Sequence, residues 1–164
     1  MASAGPDDSR LSAEQEAALS ALVAHADLVA GDTAVVRRRS LTGLAVDVID
    51  VAPHNPRAAS VTITAEHWLI VVVGRGRWEL DYSDTDIALA KRLMDAAVFG
   101  HVRAAHGERW SRTTVTLEDG TRKVSDVQTG LFPLLRGRRR PGMFRGPRVR
   151  YEPFAEPPPA PLQR

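Results

Sequence analysis

Between Trp68 and Gly100 the apolar residues change their spacing from every second position to every third or fourth. Trp68 to Val73 is an unbroken apolar run and Gly74-Arg75-Gly76 supplies a turn. Arg77 to Tyr82 then alternates, with Trp78, Leu80 and Tyr82 on one face, which predicts a β-hairpin. Ser83 stands where a helix N-cap belongs, and Asp86, three residues on, is a weaker stand-in for a capping-box glutamate. Tyr82 and Ile87 occupy the positions of a hydrophobic staple. The helix that follows carries Ile87, Ala90, Met94 and Ala97 on one stripe, and Gly100 is placed to end it.

The same reading extends to both sides. Ser12 with Gln15 opens a first helix of about Ala13 to Val29, in which Leu19, Leu22, Val23 and Ala26 turn inward, Glu14, Gln15 and His25 turn to solvent, and Gly31 is the stop. From Thr33 to Ala65 a period of two predicts three strands. They are separated by a turn at Ser40 to Gly43 and by Pro53-His54-Asn55-Pro56, whose prolines cannot donate to a ladder. Trp110 to Leu117, Asp119-Gly120 and Thr121 to Val127 form a second hairpin pattern, and Val149-Arg150-Tyr151 a last short strand. Gly107 makes His101 to Glu108 read as a loop, and the three tryptophans read as core or sheet-face anchors; one standing on a wet face would instead mark an interface.

Helix, five strands, helix and two or three more strands, joined by mostly short links, define an α+β class. The expected architecture is a mostly antiparallel sheet of six to eight strands with two helices packed on one face. Thr62, Thr64, Glu66, Arg77, Glu79 and Asp81 then face outward. Residues 1–10 are expected as a flexible leader, 11–154 as one domain including an arginine-rich loop at 136–147, and 155–164 as a proline-rich disordered tail.

Composition narrows the chemistry. The absence of cysteine removes disulfides, thiolate metal sites and thiol nucleophiles, and it suits a reducing, cytoplasmic location. The first residues lack the pattern of a signal peptide and no apolar run reaches the roughly 18 residues of a membrane span, so no membrane partner is expected. The net charge of +2 is uneven. Arg136, Arg138, Arg139, Arg140, Arg145, Arg148 and Arg150 fall in an acid-free stretch, and 22 − 7 = 15 basic against 20 acidic residues leave the remainder at −5.

Each candidate constellation has a structural reading. Asp81, Asp84 and Asp86 lack the glycine and glutamate of a calcium loop, and acids at a helix N-terminus are favoured by the macrodipole in any case. Gly74-Arg75-Gly76 joins two strands with no Walker lysine after it, so it is a turn rather than a phosphate cradle. His101, His106 and Glu108 lack the i, i+4 pair of a zincin, and no serine sits in a nucleophile elbow. No catalytic residue, cofactor site or metal site is assigned. The clustered arginines could contact phosphates, with Phe132, Phe144 and Tyr151 available for stacking.

Four segments, Val73-Gly74-Arg75-Gly76-Arg77-Trp78-Glu79-Leu80, the helix ending at Gly100-His101-Val102, Val115 to Gly120, and Arg148 to Phe154, resemble a loose group of small uncharacterised bacterial α+β proteins over roughly residues 60 to 154. By architecture the domain also looks similar to immunity proteins of bacterial toxin systems, which bind and block a cognate toxin. The group brings no activity with it; from the lack of a catalytic motif and this architecture we expect a non-enzymatic accessory protein that acts by contact with another protein, with immunity as one concrete form. The candidate interface is Glu66, Arg77, Glu79 and Asp81; nucleic-acid or polyanion binding through residues 136–150 is the alternative.

Overall fold

The computed structural model describes residues 11–41, 44–107, 110–128 and 146–155. Helix α1 (Ala13–Ala30) is followed by a 3-10 turn at Gly31–Thr33 and five strands, β1 (Ala34–Ser40), β2 (Asp47–Pro53), β3 (Val61–Ala65), β4 (Leu69–Val73) and β5 (Gly76–Leu80). Then come α2 (Asp84–Val98), β6 (Val102–Gly107), β7 (Trp110–Thr116), β8 (Arg122–Gln128) and β9 (Arg148–Arg150). The protein is α+β with antiparallel strand pairing throughout its named strands, as the sequence pattern predicts. The strands are divided, however, between two sheets, a five-stranded meander β1-β2-β3-β4-β5 and a four-stranded sheet β8-β7-β6-β9.

Local chemistry explains the helix ends. Ser12 and Gln15 form a complete capping box, the Gln15 N–H donating to Ser12 Oγ (3.2 Å) and the Ser12 N–H to Gln15 Oε1 (2.8 Å). At α2 the Asp86 N–H donates to Ser83 Oγ (3.3 Å), while the Asp86 carboxylate accepts from the Asp81 N–H (2.8 Å). Of the three acids near this terminus, Asp86 therefore belongs to the cap, and Asp84 lies with it in the first turn of the helix.

Both helices cover the same face of the five-stranded sheet. Leu19, Leu22 and Ala26 of α1 and Ala90, Leu93, Met94 and Ala97 of α2 bury against Ile49, Val51, Val61, Ile63, Leu69, Val71 and Val73. His25 is part-buried rather than solvent-directed, because its Nε2 lies 2.7 Å from Asp95 Oδ1 and links the two helices.

The segment His101 to Glu108, expected as a loop, contributes β6 instead. Val102 to Gly107 pairs with β7 on one side and β9 on the other, so two neighbours satisfy a backbone whose side chains have little strand preference. Two contacts fix the second sheet against the first. Gly76 leaves room for the Trp78 ring and Thr113, where a Cβ would come within 2.8 Å of Thr113 Cβ. Ser125 Oγ accepts from the Arg77 N–H (2.8 Å) and donates to the Arg77 carbonyl (2.9 Å), which satisfies both backbone groups of one residue on the β5 edge.

The end of the domain is clipped in place. Asn55 Nδ2 donates to the Pro153 carbonyl (2.9 Å), Arg57 pairs with Glu152 (3.2 Å), and Phe154 is buried in the core with its N–H donating to the Val98 carbonyl (2.9 Å). Gly100, at φ +71°, carries the chain from α2 into β6 beneath this clip, where a Cβ would lie 2.6 Å from the Pro153 nitrogen.

Candidate functional site

Because successive residues of a strand face opposite ways, the face of the five-stranded sheet away from the helices is built from the even residues of β3 and β4 and the odd residues of β1 and β5. Thr64, Ile70 and Glu79 share one row across it, and Thr62, Val72 and Arg77 the next. Most of its charge is matched. Arg77 pairs with Glu79 (2.8 Å), Arg39 pairs with Asp50 (3.1 Å), and Asp50 also accepts from Thr62 Oγ1 (3.1 Å). Near β1 the face sinks into a shallow depression of about 390 Å³ lined by Val35, Arg37, Asp50, Ala52, Ser60 and Thr62.

The four residues expected to form an interface come together at the β5 side of this face. Arg77 and Glu79 stand on it, and Glu66 and Asp81 follow β3 and β5 at the same rim, where Ala65, Leu69 and Leu80 are in register. The Glu66 carbonyl is held by Gln15 Nε2 (2.7 Å) and by the Tyr82 hydroxyl (2.8 Å), so the rim is anchored to α1 and to the start of α2. Burial raises the Tyr82 phenol above its ordinary pKa. Trp68 sits among them and is 55% exposed, not the core anchor its apolar run suggested. A large indole left in water beside acids is the kind of feature that marks contact surfaces.

On the opposite sheet edge of this domain half, Arg38 is held between two carboxylates. Its Nε and Nη2 donate to Asp47 (2.8 and 2.5 Å) and its Nη1 and Nη2 to Glu16 (2.8 and 2.5 Å). The Glu16 carboxyl is lowered and the Arg38 guanidinium raised, each chiefly by their mutual hydrogen bonds. Asp47 is only 5% exposed, so this pairing is structural. At the β7–β8 turn the Thr121 amide, and then Arg92, hold the Asp119 carboxyl down to about 2.

The outer face of the four-stranded sheet was only partly foreseen. Arg148 and Arg150 project from β9 and are exposed, and the register sets Arg150 opposite Arg103 and Arg148 opposite Ala105, with Arg112 on the far side of Ala105. Arg136, Arg138, Arg139, Arg140 and Arg145, with most of the expected loop at 136–147, lie outside the described residues. Arg103 was not foreseen, since it stands 45 positions from Arg148 and joins it only through strand pairing.

His101 and His106 do not converge. His101 precedes β6 and is exposed, His106 lies on the strand with opposite parity, and Glu108 is outside the described residues. Among the described residues no group of three His, Cys, Asp or Glu is placed to hold a metal ion. The buried polar atoms without a protein partner among them are Trp78 Nε1, Arg92 Nε, His106 Nδ1 and Thr113 Oγ1, none of them part of a nucleophile–base pair. No described helix is long and apolar enough to cross a membrane. No protein-family model, curated protein or solved structure matches the chain.

Proposed function

We propose that this is a cytoplasmic, non-enzymatic binding domain that acts by contact with another protein through the Trp68 face. The observation that carries the reading is the exposed indole of Trp68, 55% accessible, just before β4 on the rim where Glu66 follows β3 and Asp81 follows β5, with Ile70 opposite Glu79 in the next row. A large rigid aromatic in the middle of a charged rim is the usual form of a binding hot spot. The complementary partner offers an apolar pocket for the indole and a basic rim for the carboxylates, whose field would steer its approach. A small protein that blocks a basic toxin, as immunity proteins do, is one concrete form of this role.

The test is affinity capture with the full chain followed by calorimetry on the captured protein. Trp68→Ala should weaken the complex by about 2 kcal/mol or more, roughly thirtyfold, while charge reversal at Glu79 and Asp81 should chiefly slow association and flatten or invert its salt response. A captured protein that binds both variants as tightly as the native chain rejects this surface. So does finding that the chain captures only further copies of itself.

A further inference from the structure

Among the described residues, three of the arginines on the second sheet have no acidic partner. Arg103 and Arg150 stand directly opposite each other across an antiparallel pair, a position in which like charges repel. Arg148 lies two residues along from Arg150 on the same face, roughly 6.6 Å away at ordinary strand rise. Among the described residues none of the three has a carboxylate within an ion pair, whereas Arg112 beside them is paired with Asp126 through Nε at 2.6 Å. All three are exposed.

Their backbone, in contrast, is held firmly by contacts that use no arginine side chain. The Tyr151 N–H donates to the Val102 carbonyl (3.0 Å) and the His106 N–H to the Pro147 carbonyl (3.2 Å), so β9 is fastened at both ends. The Tyr151 ring lies over Gly74, and the Asn55–Pro153 and Phe154–Val98 contacts lock the residues just beyond. Three mutually repelling cations are therefore fixed in a row. Just before β6, two residues ahead of Arg103, exposed His101 packs its ring against Phe99, itself 61% exposed, with centroids 6.4 Å apart. Val124 adds an exposed aliphatic group to the same face.

From this juxtaposition we infer that the outer face of the four-stranded sheet is a binding site for single-stranded nucleic acid. Arg103, Arg148 and Arg150 take successive phosphodiesters, and the Phe99–His101 pair offers a surface on which a base can stack. The ligand charge removes the repulsion between Arg103 and Arg150, so binding and strand pairing reinforce one another. A row of arginines without base-edge readers on it recognises the backbone rather than a sequence. This site is separate from the Trp68 face and does not depend on it.

Fluorescence anisotropy of the full chain with labelled oligothymidylate and oligouridylate, titrated across salt, tests the inference. Three phosphate contacts on a single strand predict a slope of log K against log salt of about −2, from roughly −0.7 per contact. Arg103→Thr with Arg150→Thr should remove about 1.4 of that slope, and the corresponding double lysine variant should restore it. Phe99→Ala should weaken binding while leaving the slope unchanged. Preference for one of the two oligomers identifies DNA or RNA as the source of the phosphates. Absence of binding in about 50 mM salt overturns the inference. It is equally overturned if the double threonine variant binds as the native chain does, or if polyglutamate competes as well as an unlabelled oligonucleotide.

Discussion

The two sheets of this domain differ in how many of their arginines they pair, Arg37 being the one strand arginine of the five-stranded sheet without an ion pair among the described residues. In the five-stranded sheet Arg38, Arg39 and Arg77 each face a carboxylate at 3.1 Å or less, and the one that reaches the interior closes over Asp47. In the four-stranded sheet Arg103, Arg148 and Arg150 face one another or solvent, with only Arg112 matched by an acid on that face among the described residues. The Arg38 arrangement is what a fold requires of buried or half-buried charge, whereas like charges set opposite each other across a strand pair work against it.

The comparison breaks most visibly at Arg38. Arg38→Met leaves the Asp47 carboxylate in its 5%-exposed site without the guanidinium that neutralises it. Removing one partner of a buried pair costs about 3–5 kcal/mol, and the partial exposure of Arg38 brings the expected loss to about 2–3 kcal/mol. Arg39→Met, which uncouples an exposed pair, should change stability by less than about 0.5 kcal/mol. Urea unfolding of the two variants checks this. Equal effects would mean that the Arg38 cluster is merely another surface ion pair.

A smaller effect is expected where the sheets meet. Ser125→Ala removes the hydroxyl that both accepts from and donates to the backbone of Arg77, leaving two groups of the β5 edge without their partner. An unsatisfied polar group of this kind costs about 1–3 kcal/mol, and access of water at the half-buried edge places the expected loss near the low end. Because the contact joins the two sheets, amide exchange should accelerate in β5, β7 and β8 more than in β1 and β2. Uniform acceleration would show that the sheets open as one unit and that the contact does not define a boundary.

What the sequence made legible follows from how local each signal is. The Ser12–Gln15 box, the Ser83 cap, the Gly74-Arg75 turn and the Asp119-Gly120 turn are each written within four residues, and each occurs where it was expected. β6 was missed because Val-Arg-Ala-Ala-His-Gly lacks the branched and aromatic residues of a self-evident strand, and its pairing is supplied by β7 and by β9, which lies more than forty residues further on. The joint between the two sheets involves Gly76 and Ser125, whose meaning is tertiary. Glu79 and Arg77 were readable as an outward pair from alternation alone. The exposure of Trp68 was not, because an apolar run gives no sign of which residue at its end stands on the rim.

The smallest effect carries the sharpest sign. If the arginine row is a liability of the fold kept for binding, Arg103→Thr should stabilise the free protein, since it removes a like-charge cross-strand pair and puts a residue of good strand preference on an exposed face. The expected gain is about 0.3 kcal/mol in low salt, within the range of cross-strand pair energies. About 1 M salt shortens the screening length to roughly 3 Å, so the repulsive share of the gain should vanish there and only the strand preference remain. Urea unfolding of Arg103→Thr and the native chain at both salt concentrations resolves this as a difference of differences. A loss of 1 kcal/mol in low salt would give Arg103 a structural partner after all, and the contrast between the two sheets would go with it.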